Sequence, residues 1–168
     1  VNENGTLKNV FVYVSSNAPQ GPVPAQPAKL DQKGCQYVPH VIGVMVGQPI
    51  SISNSDQFLH NVHSLAVDNP AFNFGQPSVD PGKKVDPMKV TELFKVKCDV
   101  HPWMGAWVHV LEHPYFAVTG DDGSFNITGL PPGQYKLTAW HETLGKKELD
   151  VTVEAGKPAA AEFTFEKQ

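Results

Sequence analysis

The sequence predicts an all-β chain of sandwich or barrel type. Fifteen prolines and fourteen glycines lie scattered between short runs rich in Val, Ile, Phe and Tyr, too often for helices of ordinary length. Several of those runs alternate apolar with polar residues, the period of a half-buried strand. In the last third they recur at short, even spacing, as the strands of a sandwich do. At 168 residues, 40% hydrophobic and 18% charged, the chain can bury one good core or two small ones.

The elements follow in order. Residues 7–14 alternate as an edge-like strand, and residues 15–27, rich in Pro, Ala and Gly, are a loop or linker. Structure resumes at Cys35. Residues 37–46 and 49–53 are two strands flanking a tight turn at Gly47. Asn54-Ser55-Asp56 closes the second strand and leads to His60-Asn61-Val62-His63. Residues 69–84 are loop-like, with Pro70, Pro77 and the Pro81-Gly82 turn signal. Residues 91–98 and 106–111 are strands separated by a short loop. Beyond them, strands at 116–119, 124–127, 135–140, 149–153 and 161–165 are joined by Asp-Gly and Pro-Pro-Gly turns.

Charge and hydropathy exclude several function classes. Thirteen basic against seventeen acidic residues give a net charge of −4, and no Lys/Arg cluster could neutralise a row of phosphates, so no nucleic-acid partner is expected. No apolar run approaches the roughly 20 residues of a spanning helix, and no transmembrane segment is expected. The chain does not open with a charged segment followed by an apolar one, so an exported protein would have lost its signal already. No Ser/His/Asp, paired-carboxylate or phosphate-loop pattern rises above background. The expectation is therefore a protein that is not an enzyme.

The sharpest chemical signal is Cys98-Asp99-Val100-His101-Pro102-Trp103-Met104, between two strands. A thiolate, an imidazole and a thioether, with two residues between each and the next, can converge on one point from a single tight loop, and soft sulfur donors select copper. His60 follows a strand end and can supply the fourth donor. The expected site is one mononuclear copper ion held by His60, Cys98 and His101 with Met104 as the weaker axial ligand, an arrangement suited to electron transfer.

These residues resemble the cupredoxins, the blue copper family of plastocyanin and azurin. The resemblance rests on Tyr37-x-Pro39, the strands around Gly47, Asn54, His60-Asn61-Val62, the Cys98/His101/Met104 loop and Gly105-Ala106-Trp107-Val108. It implies a Greek-key barrel or sandwich and a role for Asn61 in hydrogen-bonding across to the ligand loop. The His101 to Met104 spacing is shorter than in plastocyanin. It looks like the binuclear copper centre of cytochrome oxidase subunit II, but that centre needs a second loop Cys, and Asp99 and Val100 cannot serve. His40, His63 and Cys35 are lesser candidates, His63 because three positions beyond His60 it faces the other side of a regular strand.

A second resemblance, to the carboxypeptidase-regulatory-like or transthyretin-like β sandwich (Ig-like in its architecture), rests on Ala117-Val118-Thr119, Asp122-Gly123-Ser124-Phe125, residues 129–135 and Leu137. Residues 7–14 fit the Val-rich first strand of that family. The expected organisation is a cupredoxin-like domain at 16–113 inserted into a sandwich made of 1–15 and 114–168.

Competing readings remain open at this point. Two cysteines in an exported protein often pair, and by the plastocyanin analogy Cys35 lies near the metal-bearing pole, so a Cys35–Cys98 disulfide is the alternative to a thiolate ligand. Zinc accepts Cys and His, although a thioether favours copper. Met104 and Trp107 could be core residues; Trp103 is the candidate for an apolar collar where a partner docks. His109, His113 and His141 are surface or structural. The expected function is a periplasmic or extracellular electron carrier whose partner is a redox protein such as a cytochrome. The alternative is a non-redox binding or assembly module of an envelope complex, carrying a structural metal or the disulfide.

Overall fold

A computed structural model describes residues 5–166. Among the described residues, thirteen strands follow one another: β1 (Phe11–Ser16), β2 (Ala28–Gln32), β3 (Tyr37–Val38), β4 (Val41–Met45), β5 (Ile50–Asn54), β6 (His60–Ser64), β7 (Asn73–Gln76), β8 (Asp80–Val85), β9 (Glu92–Lys97), β10 (Gly105–Leu111), β11 (Phe116–Val118), β12 (Gly133–His141) and β13 (Gly145–Val153). The chain is all-β, and among the described residues no helix is long and apolar enough to cross a membrane. It divides into two compact units. One runs to Gln20 and resumes at Tyr115; the other is Gly21–Pro114.

In the Gly21–Pro114 unit, a five-stranded sheet in the order β4-β10-β9-β6-β7 and a four-stranded sheet in the order β3-β2-β5-β8 share one core. Alternation builds it. Ile50 and Ile52 of β5 and Phe94 and Val96 of β9 point inward, while Ser51, Ser53, Lys95 and Lys97 stand outward. Leu30, Val44, Val62, Val108 and Val110 complete the same cluster. Burying a side chain of this kind stabilises a fold by about 1.5–3 kcal/mol, so two apolar sheet faces are driven together.

Several elements depart from the sequence reading. The strands on either side of Gly47 do not pair: β4 runs parallel to β10, and β5 lies in the other sheet between β2 and β8. The turn is a crossing between layers, and Gly47 adopts φ +85° there. Residues 28–32, expected to precede the resumption of structure, form β2. Its inward positions are Leu30 and Gln32, and the polar one hides the alternation. Gln32 is buried because its Nε2 donates to Gln76 Oε1 (2.6 Å) and Ser53 O (3.0 Å). Residues 69–84, expected as loop, contain β7 and most of β8. Both are outermost strands of their sheets, where a polar, Pro-bearing sequence is tolerated. Gly82 sits where the β5–β8 register shifts, at φ +137°, and a Cβ there would lie 2.7 Å from Ser51 Oγ. Trp107 is half-buried on the outer face of β10, with Lys95 Nζ 5.8 Å from its ring, rather than in the core.

The other unit has one sheet, in the order β11-β1-β12-β13. Residues 124–127 and 161–165, expected as strands, pair with no ladder among the described residues. They still alternate and still cover the sheet. Phe125, Ile127, Phe163 and Phe165 pack on Val10, Val12 and Ala139, and Leu130 and Ala161 on Val14, Tyr135 and Leu137. The second layer is thus made of extended segments held by their side chains.

Glu92, at the start of β9, clamps the loop that follows β6. Its carboxylate accepts from the N–H groups of Val67 (2.6 Å), Asp68 (3.3 Å) and Asn69 (3.0 Å) and from Asn69 Nδ2 (2.8 Å). Burial works to raise its pKa, but these donors outweigh burial and hold it below the usual value of 4.5. A depressed folded pKa means that the stabilisation is complete above the unfolded value and is lost as pH falls through the folded one. Glu92→Gln is expected to cost about 1 kcal/mol at pH 7, and the deficit should shrink below pH 4.5. Urea unfolding midpoints measured from pH 7 to pH 3 check both.

Candidate metal centre

The register of two strands brings the donors together. β6 and β9 run antiparallel with His63 opposite Lys97 and Ser64 opposite Val96, so β6 begins where β9 ends. His60 is the first residue of β6, and Cys98 is the residue after β9. His101 lies in the loop that carries the chain from β9 to β10. That loop is closed by Cys98 N–H donating to Met104 O (3.3 Å) and by Met104 N–H donating to His101 O (2.9 Å).

One ligand atom from each of His60, Cys98 and His101 lies within 4.8 Å of the other two. His60 Nδ1 and His101 Nδ1 are 3.0 Å apart, and Cys98 Sγ is 3.8 Å from His101 Nδ1. Bonds of about 2.0–2.3 Å to two nitrogens and a sulfur imply donor separations of roughly 3.3–3.8 Å, so the set fits one small ion after slight adjustment of the two imidazoles. The site is buried: His60 is 0% and Cys98 2% exposed. Two N–H groups, from Asn61 and His101, each 3.4 Å from Cys98 Sγ, point their positive ends at the sulfur and suit a metal-bound thiolate. Soft sulfur beside two imidazoles is the donor chemistry that favours copper. Met104 is buried in the adjoining core at the end of the loop.

Both cysteines are free thiols, so the Cys35–Cys98 disulfide alternative is not what the structure holds. Cys98 is instead occupied by the contacts above. Cys35 lies with Asp56 on the far side of the His60 ring, one donor atom of each of these three being within 4.8 Å of the others. His63 points away from His60 across the strand, and its Nδ1 lies 2.9 Å from Asp99 Oδ2. His40 Nδ1 lies 2.9 Å from Gly105 O, and His40 belongs to neither donor group. His109 is buried in β10, His113 is half-buried, and His141 Nδ1 accepts from Thr143. Only His60 and His101 of the seven histidines face Cys98.

The surroundings brace the donors. Asn61 Oδ1 accepts from Asp99 N–H (3.1 Å), while its Nδ2 donates to Asn73 Oδ1 (2.7 Å) and Phe74 O (3.3 Å), so the side chain ties the ligand loop to β6 and β7. Lys97 Nζ (2.8 Å) and His63 hold the Asp99 carboxyl below the ordinary range, against a smaller opposing effect of burial. Asp56, which the sequence reading did not single out, accepts from His60 Nε2 at 2.8 Å. The N–H of Cys35 does most to hold its carboxyl down at about 2, aided by Gly34 N–H and His60 and opposed by burial. The available signal was a carboxylate four residues before a candidate ligand histidine. Phe58, also passed over, packs on His60 and His101, with ring centroids 5.1 Å and 6.1 Å away. Trp103 lies 5.3 Å from His101 by the same measure. These two aromatics are 46% and 70% exposed and flank the outer edge of His101.

Tyr37 underpins the junction. Its buried hydroxyl sits 2.5 Å from Asn61 O and 3.0 Å from Lys97 O, donating into the gap where β6 and β9 meet. Burial, then the charges of Cys98 and Asp99, push its pKa well above 10.0. A raised folded pKa contributes stability that is fully present below the unfolded value and is lost as pH climbs. Tyr37→Phe is expected to cost about 1–3 kcal/mol at pH 7 by stranding two carbonyls. The variant should also lose less stability than the parent above pH 10, which chemical denaturation at pH 8 and pH 11 tests.

Over residues 100–166 the chain matches the carboxypeptidase regulatory-like domain family. No curated protein matches it. Among solved structures it is similar to a copper-containing nitrite reductase from Thermus scotoductus SA-01, at 21% identity over 60% of this chain and 25% of that one, with a TM-score of 0.43. It is similar to a purple cupredoxin from Nitrosopumilus maritimus, at 22% identity over 50% of this chain and 99% of that one, TM-score 0.39. Amicyanin from Paracoccus versutus shares 20% identity over 60% of this chain and 97% of the amicyanin chain, TM-score 0.42. The chain spans a quarter of the nitrite reductase's length. It is thus similar to cupredoxins in one part and to the carboxypeptidase regulatory-like domain in another.

Proposed function

We propose that this chain is an electron carrier with one copper ion held by His60, Cys98 and His101 and, from the end of the same loop, Met104. The convergence of one sulfur and two imidazole donors at a buried strand end carries the reading. Copper in a donor set of this kind moves between its +1 and +2 states by gaining or losing one electron.

The residues of the chain supply what such a carrier needs. Asn61, Tyr37 and the closed backbone loop hold the donors so that their positions change little with the charge they face, which keeps the cost of reorganisation small. Burial of His60 and Cys98 leaves those two donors out of reach of a substrate. Electrons would pass through the His101 edge, where Phe58 and Trp103 offer an apolar rim to a redox protein such as a cytochrome. A carrier of this kind works outside the cytoplasm, in the periplasm or extracellular space, and acts without being an enzyme. The regulatory-like unit is the part suited to attachment within an envelope complex.

Copper-loaded protein is expected to bind one ion per chain, to show an intense visible thiolate-to-copper band and to titrate reversibly. Cys98→Ser should abolish the band, whereas Cys35→Ser should keep it. A colourless protein that takes up no copper refutes the reading, and an ion that binds but cannot be reduced assigns the metal a structural role. Trp103→Ala should slow electron exchange with a protein partner several-fold more than it slows reduction by a small chemical reductant, as stopped-flow kinetics would show.

A further inference from the structure

Resting on the copper reading above, we propose that Asp56 is a positioning residue: it fixes the His60 ring with Nδ1 toward Cys98 and His101, and the turn at Gly34 and Cys35 holds it in place. The carboxylate receives three donors on two oxygens. Gly34 N–H reaches Oδ1 at 2.9 Å, and Cys35 N–H (3.0 Å) and His60 Nε2 (2.8 Å) share Oδ2. Its own N–H is tied to Asn54 Oδ1 at 2.9 Å. Two consecutive backbone N–H groups converging on one anion form a concave anion seat. Gly34 and Cys35 adopt φ of +62° and +57° to make it. Glycine takes that conformation freely, but a cysteine does so at a cost that the surrounding bonds must offset.

The chemistry follows from donor and acceptor roles. An ionised carboxylate only accepts, so His60 Nε2 carries the hydrogen and Nδ1 keeps its lone pair, directed at the Cys98 side. A carboxylate accepting the far N–H of a ligand imidazole also makes the ring a stronger donor. The same turn reaches the second imidazole, because Cys35 O accepts from Trp103 Nε1 at 3.2 Å and the Trp103 ring lies against His101. One short segment therefore orients His60 through Asp56 and braces the His101 side through Trp103. Asparagine cannot substitute. It offers one oxygen where three donors use two, and its amide N–H₂ would face a backbone N–H.

The test compares the wild-type chain with Asp56→Asn and Asp56→Glu, reading the imidazole tautomer of the metal-free protein by ¹H–¹⁵N NMR and the reduction potential of the copper-loaded protein. A hydrogen on His60 Nε2 is expected in the wild type. In Asp56→Asn the affinity for oxidised copper should fall about tenfold relative to that for reduced copper, which raises a one-electron potential by about 59 mV. Asp56→Glu, which keeps the charge, should recover at least half of that shift. A folded Asp56→Asn protein with unchanged potential and tautomer overturns the role of Asp56 while leaving the copper site standing. A hydrogen on His60 Nδ1 in the wild type overturns it even if the Asn variant does not fold. Failure of the wild type to take up copper overturns both readings.

Discussion

The meeting of β6 and β9 is the constraint on which the rest of this molecule depends. With His63 opposite Lys97, the register carried one step further puts Cys98 across from Val62, and His60 follows two residues along the same face of β6. A shift of one residue would turn every side chain of β6 to the opposite face. His60 would then exchange faces with Asn61, and Asn61 would lose its bond to Asp99. The register is secured by the core itself, since Val62 and Val96 must point inward together. Hydrophobic packing and donor geometry therefore select the same alignment.

Around that junction the chain accepts buried polar groups and satisfies nearly all of them. Gln32, Asn54 and Gln76 bond to one another and to the carbonyls of Ile52, Ser53 and Phe58. Asn54 in turn holds Asp56, and Tyr37 holds the carbonyls of Asn61 and Lys97. Buried amides cost stability when unpaired, and a shared network restricts the chain to one arrangement because each group serves the next. The result is a pole in which the donors are set by bonds from several strands rather than by the ligand loop alone.

The two units reach order by different balances. The Gly21–Pro114 unit closes two sheets on a continuous core, whereas the other covers one sheet with extended segments whose aromatic residues supply the second layer. Alternation in residues 124–127 and 161–165 was legible, and Phe125, Ile127, Phe163 and Phe165 are the side chains that pack on the sheet. Their pairing was not legible, because period two reports which side chains face a core and says nothing about whether a neighbouring backbone lies within hydrogen-bonding distance. The missed strands β2, β7 and β8 fail for the converse reason. Their backbones pair well, but Gln32, Gln76 and Pro81 break the apolar pattern by which strands are recognised.

By itself, the sequence determined the class of architecture, through the density of Pro and Gly and the short alternating runs, and the donor types on the Cys98–Met104 loop, through one thiol, one imidazole and one thioether on seven residues. Short-range spacing suffices for both. Only the tertiary structure decided that Cys98 is free of Cys35, that His60 and not His63 or His40 faces the sulfur, and that Asp56 lies behind the His60 ring. Those outcomes depend on residues from four separate strands and turns meeting at one pole, and the distance between such residues is set by how two sheets pack, which no local pattern encodes.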